Sequence, residues 1–159
     1  MKIQLSRRTT RHPPNHRSQL MAILAEAARL SGLADSEAAD ARLQLVILGK
    51  RAMTQLNEGF LGHQGSTDVI TFDLRGGVTC PDEPPQIGEI YVCVTVAEEA
   101  ARRYRTTCSR ELILYMVHGM LHLAGLDDLE PADAQEMRRG EKRVMEALAA
   151  AHDLDTVFA

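Results

Sequence analysis

Cysteine is scarce in this chain. Cys80, Cys93 and Cys108 are widely spaced and form no C-x-x-C pair, which points away from a disulfide framework and from a thiolate zinc site. Long apolar runs are missing as well, and nothing approaches the length of a membrane span. The first residues, Met1-Lys-Ile-Gln-Leu-Ser-Arg-Arg, hold no apolar stretch suited to export. The expectation is a cytoplasmic protein with no membrane partner. An excess of positive charge is absent too. The net charge is −4, which argues against a generally adhesive nucleic-acid binder, although local patches decide groove binding. There is no internal repeat and no low-complexity tract.

What is present suits one globular domain over residues 1–159. Apolar residues make up 45% and charged residues 25%, an ordinary balance for a chain able to bury a real core. Ile3 and Leu5 alternate with polar neighbours over Lys2–Ser6, which predicts a short strand. Asn15 is placed to cap a helix over about 16–31, where Leu20, Ile23, Leu24, Ala27 and Ala28 recur at helical spacing and Gly32 ends the run. Residues 33–41 are small and acidic and read as a connection. The dense run from Leu43 to Leu48 reads as a buried strand. Met53, Leu56 and Phe60 suggest a short helix, followed by a loop marked by Gly62 and Gly65.

Thr67–Asp73 and Ile87–Val94 read as two further strands, expected to be antiparallel neighbours. Between them, residues 75–86 are rich in Gly and Pro and form a long loop, either a flap over a site or a disordered excursion. Thr95-Val-Ala-Glu98 has the form of a capping box opening a helix that ends in Arg102, Arg103 and Arg105. Ser109 is placed to cap the next helix, which is apolar all round through Leu123 and therefore central. Pro131 opens a last helix carrying Met137, Val144, Met145 and Leu148. The order implies an α+β (α/β-like) fold: a small four-stranded mixed sheet flanked by about five helices.

The central helix carries the chemistry, in His118-Gly-Met-Leu-His122-Leu-Ala-Gly125-Leu-Asp127-Asp128. Two histidines four apart share one helix face. Gly125 can end the helix and let the chain double back, bringing Asp127 or Asp128 toward the imidazoles. Such a set can hold a metal with an open fourth position, zinc being the default ion. The metal would act as a Lewis acid and activate water. The plainer alternative is a hydrogen-bonded structural pair. The pattern resembles the zincin H-E-x-x-H but has Gly119 where the general base would stand, which disfavours peptide hydrolysis. Asn57, Thr67 and Asp68 flank a Gly-rich loop and are candidates for polar roles, with turn chemistry as the plain reading. His63 reads as solvent-facing. Arg102, Arg103, Arg105, Arg138, Arg139 and Arg143 lie on presumed helix faces, solvated or in contact with phosphate.

On these residues the chain resembles the YbeY family of bacterial endoribonucleases and ribosomal-RNA maturation factors. The family's H-G-x-L-H-L-x-G-x-D-H is matched by His118–Asp128. Its L-N-x-x-Y-R and T-D-V-L-S-F are similar to Leu56–Leu61 and Thr67–Phe72, and its G-D-I strand to Gly88-Glu89-Ile90. Its trailing helix, with a methionine and a glutamate, is similar to Met137–Glu146. The likeness spans about residues 40–148. It implies a single domain with a small mixed sheet, and a metal, usually zinc, held on the central helix and the turn after it. It also implies metal-dependent hydrolysis of single-stranded RNA in small-subunit rRNA processing and ribosome quality control. The partners implied are an rRNA precursor and the small ribosomal subunit.

Two positions depart from the family. Asp128 replaces the third histidine; a carboxylate can also ligate zinc, so the expected ligands are His118, His122 and Asp128. The added negative charge should lower Lewis acidity and make harder ions such as Mn²⁺ more competitive. Leu61 replaces an arginine that the family is thought to use on the RNA phosphate, with Arg51 or Arg75 as nearby substitutes. The leading expectation is therefore an endoribonuclease, followed by a ribosome-assembly factor with weak or no catalysis, and then a metallopeptidase.

Overall fold

The computed structural model describes residues 1–78 and 80–159; Thr79, inside the predicted loop 75–86, lies outside them. The elements run β1 (Lys2–Arg7), α1 (Arg17–Leu30), α2 (Leu33–Ser36), β2 (Arg42–Leu48), α3 (Lys50–Leu61), β3 (Val69–Asp73), β4 (Gln86–Cys93), α4 (Val94–Tyr104), α5 (Cys108–Leu123) and α6 (Pro131–Ala151). The strands form one sheet in the order β1-β2-β4-β3. β1 and β4 both pair in parallel with β2, and β3 is antiparallel to β4, as the sequence suggests for that pair. The fold is α+β with a mixed four-stranded sheet, as expected.

Side chains on a strand point alternately to its two faces, and both faces of the central strands are covered here. From β2, Leu43, Leu45 and Ile47 enter the large core, where they meet Ile90 and Val92 of β4 and the buried faces of α1, α5 and α6. Val46, Leu48, Tyr91 and Cys93 point the other way, into a smaller cluster with Met53 of α3. This two-sided burial is why the Leu43–Leu48 run is apolar without alternation. The large core takes residues from Leu5 to Phe158, so the end of the described chain is built into it.

Helix α5 lies directly on β4. At Gly119 an added Cβ would stand 2.7 Å from Ile90 Cγ2, so only glycine allows the helix to sit this close. Below the helix, the α5 N-terminus is capped by Thr107, whose hydroxyl accepts from the Arg110 N–H at 3.1 Å.

Several expectations at element ends are corrected. Among the described residues there are six helices, in line with the expected five or so, but Leu33–Ser36 in the predicted connection makes a short helical turn. Asn15 does not cap α1; His16 occupies that position, and the Asn15 amide donates to the Thr156 carbonyl at 2.7 Å. The capping box at Thr95–Glu98 is absent. β4 runs straight into α4, so Cys93 is the capping residue and Thr95 already lies in the first turn, while Glu98 pairs with Arg11 at 2.8 Å. Ser109 is not the cap of α5: its hydroxyl donates to the Leu154 carbonyl at 2.7 Å and accepts from the Phe158 N–H at 3.0 Å.

Replacing Gly119 by alanine should destabilise the fold by about 1–3 kcal/mol through overpacking, lowering the melting temperature by several degrees. Thermal melts of the chelated wild-type and G119A proteins test this; equal midpoints would show that the helix can move away from Ile90 at no cost.

Candidate metal centre and its clefts

The turn after α5 closes as its glycine suggests. Gly125 has φ +111, the Gly125 N–H donates to the His122 carbonyl, and the Leu126 N–H donates to the Leu121 carbonyl. The reversal brings one of the two aspartates to the histidines. Asp127 accepts from the Asp128 N–H at 2.8 Å and so shapes the turn. Asp128 faces the imidazoles, with Oδ2 3.5 Å from His118 Nε2 and Oδ1 3.4 Å from His122 Nε2.

One ligand atom from each of His118, His122 and Asp128 lies within 4.8 Å of the others. Two ligands at zinc-like bond lengths of about 2.0–2.1 Å in a tetrahedron stand about 3.3–3.4 Å apart. The Asp128 spacings, measured to a different carboxylate oxygen for each histidine, are close to that value and longer than an ordinary hydrogen bond. The donor set of two imidazoles and a carboxylate suits a borderline ion such as Zn²⁺ and could also hold Mn²⁺.

Glu141 of α6 completes the arrangement. Its Oε1 lies 2.6 Å from His118 Nδ1. A carboxylate there accepts the Nδ1 proton and leaves the Nε2 lone pair toward Asp128, the usual way a ligating histidine is oriented. Burial favours neutral His118, but the Glu141 hydrogen bond and the negative charges of Glu141, Asp128 and Asp68 outweigh it and raise the pKa above the ordinary histidine value. Sequence reasoning did not single out Glu141. The only signal was its place in the trailing helix, one turn after Met137.

Two clefts of about 900 and 700 Å³ meet at this point and share Thr67, Asp68, Val69, His118 and Asp128. The smaller runs toward α3 and is lined by Asn57, Leu61 and His63. The larger lies among α4, α5 and α6. Thr67 and Asp68 thus stand beside the triad. The Thr67 hydroxyl donates to Asp68 Oδ1 at 3.2 Å, and the same oxygen accepts from the Val69 N–H at 2.8 Å. Asn57 is buried and donates to the Gly65 carbonyl at 2.9 Å, pinning the loop after α3. His63 is exposed, as expected, yet it lines the smaller cleft.

Neither suggested substitute for the arginine missing at Leu61 is in place. Arg75 is held by Asp73 at 2.7 Å and Glu37 at 2.8 Å, and it donates to the Leu123 carbonyl at 2.6 Å. Arg51 lines neither cleft. The described residues of loop 75–86 line neither cleft. A side chain at position 119 would press on Ile90, toward the sheet.

The family described as Endoribonuclease YbeY matches residues 4–149 of the chain. This chain belongs to the YbeY endoribonuclease family. Endoribonuclease YbeY of Thermotoga maritima is 34% identical over 119 residues, covering 74% of this chain and 75% of that protein. Endoribonuclease YbeY of Salinibacter ruber is 36% identical over 110 residues, covering 67% and 69%. The solution structure of a Thermotoga maritima protein superposes with a TM-score of 0.60 at 26% identity, covering 94% of this chain and 91% of its own. YbeY endoribonucleases are hydrolases, which agrees with the expected enzyme class. Among the described residues no helix is long and apolar enough to cross a membrane.

In the metal-free protein, His118 has a raised folded pKa. Its charged pairing with Glu141 therefore stabilises the fold fully below the ordinary histidine pKa of about 6.5, and this is lost as pH rises through the folded value. Denaturation midpoints of chelated wild-type and Glu141→Gln proteins, taken from pH 5 to 9, should differ most at the acid end and converge at the alkaline end. Parallel curves would count against the His118–Glu141 pair.

Proposed function

We propose that the chain is a metal-dependent endoribonuclease that cuts single-stranded RNA during small-subunit rRNA maturation and ribosome quality control. In this reading one zinc ion is held by His118, His122 and Asp128 in a cytoplasmic protein that works on the rRNA precursor at the small ribosomal subunit. The observation that carries it is the convergence of two imidazoles and Asp128, oriented by Glu141, where two open clefts meet in a member of an endoribonuclease family.

A divalent ion held there supplies Lewis acidity toward a phosphodiester and makes a water molecule more acidic. The protein's own groups set the rest. Glu141 fixes the His118 tautomer. Asp68 presents a carboxylate to both clefts beside the triad, in reach of a proton-accepting role, and Thr67 orients it. Asn57 holds the loop that forms the outer wall of the smaller cleft. Leu61, also on that wall, cannot donate to a phosphate or stabilise its developing charge. Asp128 in place of a neutral third imidazole adds negative charge, which lowers Lewis acidity and makes Mn²⁺ a stronger competitor. The metallopeptidase reading loses support, because the position of its general base is filled by the packing of Gly119 on Ile90.

The test is metal content per chain together with cleavage of a single-stranded rRNA fragment, with and without chelator. Cleavage should vanish on chelation and return with zinc. His122→Ala should lose metal and cleavage together, and Glu141→Gln should weaken metal binding about 10–100-fold. Asp128→His should retain or tighten metal binding, and Leu61→Arg should raise the rate. Metal-loaded protein that binds the small ribosomal subunit without cutting RNA would replace the catalytic reading with an assembly role. Cleavage unaffected by chelator would overturn the metal assignment.

A further inference from the structure

The 900 Å³ cleft has a feature that the proposed chemistry leaves unused. Helix α5 places Glu111, Tyr115, His118 and His122 four, three and four residues apart, so they form one strip along a single helix face. Glu111 and Tyr115 both line the cleft, with Glu111 seven residues and roughly 10 Å of helix from His118. Glu111 is only 8% exposed and Tyr115 5%, so the pair forms a recessed polar floor in a lining that also includes the apolar Leu114 and Met137. A buried carboxyl is costly without a partner. Burial raises its pKa, and the hydrogen bond to Tyr115 offsets part of that rise. A carboxyl group beside a phenol offers acceptor oxygens and a hydroxyl that both donates and accepts, the equipment for meeting the edge of a planar heterocycle.

The same cleft carries two arginines at its exposed rim. Arg103 near the end of α4 and Arg138 of α6 line it, and neither makes an ion pair among the described residues. Arg103 lies 5.6 Å from the ring centroid of Tyr104, which is 65% exposed at the same mouth. The carboxylates that share the cleft are mostly engaged. Glu141 is on His118, Asp128 faces both histidines and Glu99 lies 3.8 Å from Lys50, which leaves Glu111 on the floor and Asp68 beside the triad. Among the described residues, no arginine or lysine lines the smaller cleft.

Resting on the endoribonuclease reading, we propose that the α4–α5–α6 cleft is a nucleotide subsite next to the scissile phosphate. The base edge meets Glu111 and Tyr115 on the floor, and Arg103 and Arg138 take backbone phosphate at the mouth. The phosphate contact missing at Leu61 is supplied from the opposite side of the triad. Base contacts specify and phosphate contacts position, so the two halves of the subsite have separable signatures.

The experiment uses the full chain and a fluorescent single-stranded RNA of mixed sequence, first by anisotropy on chelated protein and then by cleavage with zinc. Arg103→Gln and Arg138→Gln should each weaken binding and raise KM about tenfold, with a smaller change in kcat. Each should also lower the slope of log affinity against log salt by about 0.7. Glu111→Gln and Tyr115→Phe should leave the salt slope and zinc content unchanged but reduce the preference among cutting sites about tenfold. A melting temperature of Glu111→Gln at or above wild type shows that any such loss is not unfolding. Wild-type salt slopes in both arginine variants, or a wild-type cutting pattern in both floor variants, would overturn the subsite. A wild-type chain that neither binds nor cuts the RNA would instead bring down the endoribonuclease reading on which the subsite rests.

Discussion

The contact on which the rest depends is the close approach of α5 to β4 at Gly119 and Ile90. Eleven residues of α5 are buried, and an apolar helix of this kind must be enclosed by the sheet on one side and by helices on the others. The contact fixes the rotation of the helix about its axis. With Gly119 turned to the sheet, the strip Glu111–Tyr115–His118–His122 is turned to the clefts. Core packing therefore aims the functional face, and a helix free to rotate by one residue would move both imidazoles off Asp128.

Two imidazoles on such a helix carry a desolvation cost that must be met by partners. The partners come from two different places. Asp128 arrives locally, through the turn at Gly125. Glu141 arrives from α6, which is seated in the large core by Met137, Val144 and Leu148. Apolar contacts thus bring a carboxylate to within 2.6 Å of His118 from 23 residues away. Stability and site geometry are coupled here, because loosening α6 removes the group that sets the tautomer of His118.

The sheet, its mixed character and the histidine pair were legible because each rests on local signals: alternation, apolar density, and four-residue spacing before a glycine. Helix caps were less legible. A capping box assumes that a loop precedes the helix, and β4 runs into α4 without one, so Thr95 falls past the cap. Ser109 has the right type for a cap, but its hydroxyl is claimed by Leu154 and Phe158, partners more than forty residues distant. Asn15 is taken in the same way by Thr156. The choice between Asp127 and Asp128 needed the turn itself, since both are chemically equal and only the backbone decides which one faces inward. Glu111 and Tyr115 could have been found by extending the histidine periodicity backwards along α5. Their neighbours Leu112, Ile113 and Met116 masked them as members of a uniformly apolar run.

The distribution of charge around the triad has a consequence for how a polyanion can lie across it. On the α3 side the cleft wall carries Leu61 and His63, and its carboxylate Asp73 is neutralised by Arg75. On the α4–α6 side two arginines stand free of ion pairs among the described residues. Asp128 makes the triad itself more negative than three imidazoles would be, so a phosphodiester arriving there gains less from the site's own charge. Fixed cations nearby must then contribute more to holding it. In the proposed reading, a leucine at position 61 and a carboxylate at position 128 both shift that burden to Arg103 and Arg138. On the same reading an RNA chain is held on the α4–α6 side and reaches across the triad toward α3, where Thr67 and Asp68 stand at the junction of the two clefts.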